Sequence, residues 1–175
     1  MQKVLITGGT GFLGSHITKR LIDDIESVTI VTTDIRQQTT LKSLGVDIDK
    51  INLVKGDVRD FDFLRLLFNE YEFDTVFHLG ALSEVKKCQP DPKLAFDVNV
   101  GGTVNVLEAC RMYGKVKAVV VSSSDKAYGS GQVPYIEGQS LNGVGTYEVS
   151  KSESIVFNNS FSNFSIVNIS PLPIL

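Results

Sequence analysis

Only two cysteines occur in 175 residues, Cys88 and Cys110. Two thiols 22 positions apart make neither a disulfide framework nor a zinc site, so both are expected to be reduced thiols of a cytoplasmic chain. No cluster of metal-ligand type accompanies them, and no metal is expected. No apolar run approaches the ~18 residues of a spanning helix, so no transmembrane segment is expected. The opening Met1-Gln2-Lys3 leads directly into a strand-like run and lacks the pattern of a secretory signal. Neither sign of charge dominates: 17 basic side chains stand against 20 acidic ones, a formal charge of −3. That balance gives no global basic field and excludes a protein that coats nucleic acid or a membrane surface. No internal repeat recurs along the chain, and no Gly-Lys-Ser/Thr sequence is present to form a P-loop.

What is there is ordinary globular composition, 42% apolar and 21% charged, at a length that suits one domain spanning residues 1–175. Short apolar runs at residues 3–7, 28–31, 51–55, 75–79, 117–122 and 164–169 read as strands. Helical spacing is expected from residue 14 to about 24, weakly at 39–44, and at 61–69, 92–113 and 147–160. Gly114 is a plausible stop for the long helix. Strands that are apolar on both faces and alternate with helices indicate an α/β fold, a doubly wound parallel sheet covered on both sides. In such a sheet the ligand lies at the carboxyl ends of the strands. The longest loop-like stretch, 123–145, is rich in Gly and Ser, and long loops in compact domains are often functional.

The first strand runs into Thr7-Gly8-Gly9-Thr10-Gly11-Phe12-Leu13-Gly14, with glycines at 8, 11 and 14 before a helix. A tight reversal, close approach of backbone to a pyrophosphate and close packing of helix on strand all demand small residues there. The helix N-terminus then offers amide donors and partial positive charge to phosphate. A carboxylate at the end of the second strand accepts hydrogen bonds from ribose hydroxyls and repels a 2′-phosphate. Asp34, 20 residues beyond Gly14, fits that position and points to NAD. If the strand ends two residues earlier, Thr32 takes the key place and Arg36 meets a 2′-phosphate, the arrangement that suits NADP. Asp57, after the third strand, either reaches the adenine or simply caps a turn.

Tyr147 and Lys151 stand at i and i+4, so a helix presents both on one face. Upstream, Ser122-Ser123-Ser124-Asp125-Lys126 closes the fifth strand and brings hydroxyls to the ligand edge of the sheet. A tyrosine of pKa about 10 is a poor base at neutral pH. A nearby ammonium and a positive nicotinamide ring favour its phenolate and make Tyr147 a usable acid/base, with Ser124 aiming the substrate oxygen.

These motifs, together with His78-Leu79-Gly80-Ala81 and Asn99-Val100-Gly101-Gly102-Thr103, resemble the extended short-chain dehydrogenase/reductase family. The similarity is strongest to its NAD-dependent nucleotide-sugar epimerases and 4,6-dehydratases. It implies a Rossmann fold of strand order 3-2-1-4-5-6 and a catalytic trio of Ser124, Tyr147 and Lys151. It also implies a cofactor site lined by Gly8, Gly11, Phe12, Leu13, Gly14, Asp34, Asp57, Val58, Leu79, Gly80, Ala81, Asn99, Tyr147 and Lys151. The pair Asp125-Lys126 resembles the CDP-glucose 4,6-dehydratase type, in which Lys126 takes the C5 proton of a 4-keto sugar and Asp125 protonates the departing C6 hydroxyl. Its alternative is a solvated ion pair in a loop. Family members carry a C-terminal substrate domain, and the expected Arg, Asn and Gly-Pro signals near its start are replaced here by Asn168-Ile169-Ser170-Pro171. The chain is therefore expected to lack that domain.

Three readings stand side by side: an enzyme completed by a partner chain or truncated, a silent dinucleotide-binding module, and an interaction protein. The resemblance further implies a homodimer through the helices at 92–113 and 147–160, with a nucleotide sugar as the small-molecule ligand. His16 and His78 read as packed or surface histidines rather than catalytic ones, and the stripe at 61–68 reads as core. The Asn-x-Ser triplets at Asn158, Asn163 and Asn168 read as a helix end and a turn, not glycosylation sites.

Overall fold

A computed structural model describes residues 2–130, 134–136, 139–158, 161 and 165–169. Asn163 and the 170–175 stretch, which carries the departure from the family's Gly-Pro signal, lie outside them.

Six parallel strands form one sheet in the order β3-β2-β1-β4-β5-β6. They are β1 (Lys3–Thr7), β2 (Ser27–Thr32), β3 (Ile51–Lys55), β4 (Thr75–His78), β5 (Ala118–Ser122) and β6 (Ser165–Ile169). The helices are α1 (Phe12–Leu21), α2 (Thr39–Ser43), α3 (Phe61–Tyr71), α4 (Val85–Cys88), α5 (Pro92–Phe96), α6 (Gly102–Tyr113) and α7 (Thr146–Asn158). The order reverses between β1 and β4, where ligands of open α/β sheets bind. Among the described residues no helix is long and apolar enough to cross a membrane, and no group of three or more acidic, His or Cys side chains is placed to hold a metal ion.

Strand alternation divides the core. Val4, Ile6, Val28 and Ile30 face one side and pack with Leu41, Val46 and Ile51. Leu5, Val31, Val76, Val119 and Val121 face the other and pack against Leu64, Leu67, Phe68, Val106 and Leu107 of α3 and α6. Phe68 is fully buried and meets Phe73 edge-on, with ring centroids 5.3 Å apart. Phe68→Ala is expected to destabilise the fold by about 3–5 kcal/mol, read from the urea midpoint at constant slope.

Helix ends follow local chemistry. Asp60 accepts a hydrogen bond from Phe63 N (2.9 Å) at the start of α3. Gly114, in the left-handed region at φ 73°, ends α6 where the sequence places the stop. The 92–113 segment is not one continuous α-helix, however. Asp97–Gly101 forms a π turn between α5 and α6, with Gly102 N–H bonding back to Asp97 O. Gly101 and Gly102 keep ordinary helical angles, and what requires glycine is packing: a Cβ on Gly102 would fall 2.6 Å from Val58 Cγ2. Sequence periodicity also passes over α4 and the 3₁₀ turn at Asp125–Tyr128, which shortens the expected loop after Ser124. Both are too short to generate a periodic signal.

Candidate active site

The glycine turn sits between β1 and α1 at the point of strand reversal. Gly8 has φ +70°, and a Cβ there would lie 2.9 Å from the Gly80 backbone, so the turns after β1 and β4 touch through bare backbone. At Gly14 a Cβ would lie 2.6 Å from Gly8 O and Gly9 Cα, which lets α1 rest on the turn. Gly11 N donates to Gly8 O at 3.0 Å, and Gly11 precedes α1 without a side-chain cap. Phe12 and Leu13, the next two residues, are exposed, Phe12 by 77%. A bare turn, an uncapped eleven-to-fourteen segment and exposed apolar side chains at its rim fit a dinucleotide diphosphate.

Asp34 lies two residues past β2, half-buried. The strand ends at Thr32, the condition set for the NADP alternative, yet the buried Thr32 hydroxyl is used inward, 3.2 Å from Thr10 Oγ1 and 3.4 Å from Asp34 N. Arg36 folds back on the Asp34 carboxylate, with Nε to Oδ1 at 3.0 Å and Nη2 to Oδ2 at 3.3 Å. The same device recurs at Asp57, where Arg59 Nη2 stands 2.6 Å from Oδ2. In both cases the arginine's hydrogen bond holds the carboxyl below its ordinary range. Val58 is buried beside Asp57. A groove of about 570 Å³ opens alongside, lined by Asp57, Arg59, Asp60, Asp97, Gly101 and Asn105, none of them from the Ser124–Tyr147–Lys151 group.

Ser124, Tyr147 and Lys151 converge where β5 ends and α7 begins. Ser124 is buried, and its Oγ donates to Asp125 Oδ1 (3.1 Å) while accepting from Lys126 N (3.2 Å). Burial raises the Tyr147 pKa above its usual value, partly opposed by the neighbouring Ser124 hydroxyl. Lys151 is buried, donates to Ser122 O at 3.1 Å, and is pushed down to about 8 by burial. Asp125 is half-buried beside Ser124, and Lys126 is exposed.

Leu79, Gly80 and Ala81 follow β4, half-buried, with Leu79 N bonded to Thr7 O at 3.1 Å. Asn99 lies in the π turn with its side chain turned inward. Its Oδ1 accepts from Leu82 N (2.8 Å), and its Nδ2 donates to Leu82 O (3.1 Å) and Ser150 Oγ (2.9 Å). It holds the wall of the crevice rather than presenting an amide to it.

Sequence reasoning passed over two participants. Thr7 and Thr103 clasp His78 from both sides, a contact between residues 25 and 71 positions apart with no local signature. Ser123 Oγ is buried with no hydrogen-bond partner among the described residues. Strand alternation, which sets it opposite Ser122 and Ser124, was the available signal.

The chain matches the family model for GDP-mannose 4,6 dehydratase over residues 5–165. It is 36% identical over 142 residues to the UDP-glucose 4-epimerase of Neisseria meningitidis serogroup B, covering 78% of this chain and 41% of that protein. It is 32% identical over 136 residues to a dTDP-D-glucose 4,6-dehydratase of Dictyostelium discoideum, covering 76% of this chain and 31% of that one. The crystal structure of a UDP-glucose 4-epimerase from Brucella ovis in complex with NAD superposes with TM-score 0.84 at 26% identity, over 97% of this chain and 51% of that one. The chain thus spans about half the length, or less, of the proteins it matches. By its sheet order, its glycine turn and these matches, the chain belongs to the NAD-dependent nucleotide-sugar epimerase/dehydratase family of the extended short-chain dehydrogenase/reductases.

Proposed function

We propose that residues 1–175 form the dinucleotide-binding and proton-transfer unit of a nucleotide-sugar 4,6-dehydratase or epimerase that works by transient oxidation of the sugar at C4. The observation that carries this reading is the convergence of Ser124, just past β5, with Tyr147 and the buried Lys151 of α7, at the same sheet edge as the bare glycine turn.

Gly8, Gly11 and Gly14 with the start of α1 would hold the diphosphate, Phe12 and Leu13 its rim, and Asp34 the adenine ribose. Asp57 and Val58 would flank the adenine, and Leu79, Gly80 and Ala81 the middle of the crevice. NAD, when bound, supplies the hydride acceptor. Tyr147 withdraws the proton of the sugar 4-hydroxyl, and Ser124, released from Asp125, donates to the same oxygen. Lys151 supplies positive charge next to the phenol once it swings from Ser122 O. At the 4-keto stage the C5 proton is acidic. In a dehydratase Lys126 would remove it and Asp125 would protonate the C6 hydroxyl as it leaves as water, after which the hydride taken from C4 goes to C6 and a proton returns to C5; in an epimerase that hydride goes back to C4 on the opposite face. The Asp125-Lys126 pair favours the first course.

Incubation with CDP-glucose or UDP-glucose and NAD is the test. A 4-keto-6-deoxy sugar supports the dehydratase, and a 4-epimer supports the epimerase. No product from a chain that still binds NAD leaves the silent module. Phe96, Met112 and Val156 are exposed on the helices of 92–113 and 147–160 and favour a homodimer through them. A monomeric sedimentation coefficient at high protein concentration would remove the dimer.

Asp34→Asn is expected to weaken NAD roughly tenfold and to narrow or reverse its advantage over NADP. The carboxylate that binds ribose hydroxyls is lost, and Arg36 is freed to meet a 2′-phosphate. Fluorescence titration with NADH and NADPH reads both effects.

A further inference from the structure

His78 sits at the end of β4, 3% exposed, and no step above uses it. Its Nδ1 is 2.7 Å from Thr7 Oγ1, and its Nε2 is 3.0 Å from Thr103 Oγ1. The outer partners fix every proton. Thr103 Oγ1 lies 2.6 Å from the backbone carbonyl of Asn99, which only accepts, so the one Thr103 proton is used there. His78 Nε2 must then donate to Thr103, and Nδ1 must accept. Thr7 supplies the proton to Nδ1, and its oxygen in turn accepts from Gly80 N at 3.0 Å. The order is Gly80 N–H, Thr7 O–H, His78, Thr103 O–H, Asn99 C=O, with all dipoles aligned. An imidazolium would have two donors and would break the chain at Thr7, which could no longer donate to Nδ1. Burial, together with the Lys151 charge, pushes His78 down to about 3, in agreement.

The row does not end at Asn99. The side chain of the same residue grips Leu82 through both backbone groups and donates to Ser150 Oγ, which donates to Tyr147 O at 2.8 Å. One end of the network is therefore the residue preceding Gly8, and the other is the backbone of Tyr147. We propose that His78 is a positioning residue, a neutral imidazole locked as the Nε2–H tautomer, which fixes the first turn of α7 relative to the glycine turn through Thr7, Thr103 and Asn99. This rests on the reading of Tyr147 as acid/base and of the glycine turn as dinucleotide seat. The fixed separation is what hydride and proton transfer at one sugar carbon require.

The test is nitrogen-15 NMR of the full chain without ligand. Only two histidines are present, so His16→Gln leaves the His78 ring as the sole imidazole signal. The expected result is one Nε2–H tautomer that does not titrate through the neutral range. An Nδ1–H tautomer, a tautomer mixture or a titration near the ordinary histidine value overturns the proposal. Thr7→Val, a near-isosteric change at the far end, is expected to move the Asn99 side-chain amide and Tyr147 amide resonances. A change confined to the neighbours of Thr7 shows mere local packing and also overturns it. Thr103→Val, which cuts the row nearer Asn99, is expected to move the same two signals and serves if Thr7→Val does not fold. Both readouts are taken without dinucleotide, so failure of NAD to bind refutes the functional reading and leaves the His78 result standing.

Discussion

Lys151→Met is expected to give a more stable protein that no longer works. Lys151 is 5% exposed, with its Nζ donating to Ser122 O, and burial draws its pKa from 10.5 to about 8. The unfolded chain therefore holds the proton more tightly than the folded one. Below about pH 8 both states are charged, and the fold bears the full cost of an ammonium out of water, about 3 kcal/mol for a shift of this size. Methionine keeps the length of the stem and removes the charge. The gain in stability is expected to be full near pH 7, to fade as pH rises from about 8 to 10.5, and to vanish above, where lysine is neutral in both states. Denaturant unfolding at several pH values measures it. An equal gain at all pH values would mean that packing, not charge, is the cause. The expected loss of function shows why a costly group is kept in place.

Tyr147→Phe is expected to reduce C4 oxidation roughly 10³-fold while NAD affinity and stability change little. The substitution removes one oxygen and leaves the ring in place. Because burial raises the Tyr147 pKa, the free protein holds the phenol protonated at neutral pH. Its activity then depends on lowering that pKa when positive charge arrives, from the nicotinamide and from Lys151. The rate for the wild-type chain, supplied with whatever completes the sugar site, is expected to rise with pH across the neutral range. The residual rate of the variant is expected to be flat. Single-turnover formation of NADH checks both, and an unchanged rate would strip Tyr147 of the role.

The strands were legible because each is a short apolar run between helices, while their order came from the resemblance to the family. The glycine turn was legible because its spacing, strand and helix are contiguous in the chain. Gly8 and Gly14 indeed stand where any Cβ would collide. Two kinds of feature were not. The state of a side chain depends on distant neighbours: the Tyr147–Lys151 spacing gives one helix face, yet the Lys151 ammonium donates to Ser122 O, 29 positions away. Networks that join residues far apart in sequence, such as Thr7, His78 and Thr103, have no pattern to recognise. The π turn was hidden for a third reason, since one extra residue in 22 barely alters helical periodicity.

That surplus residue between α5 and α6 has a bearing on how the chain can change length. A π turn absorbs one residue, so removing one position from Asp97–Gly101 would let the segment close into a regular helix with α5 and α6 still facing as they do. What would change is the aim of Asn99, which the widened turn directs to Leu82 and Ser150. An alignment with a one-residue gap in this stretch would therefore mark a protein that keeps the outline of this crevice and holds its wall in another way.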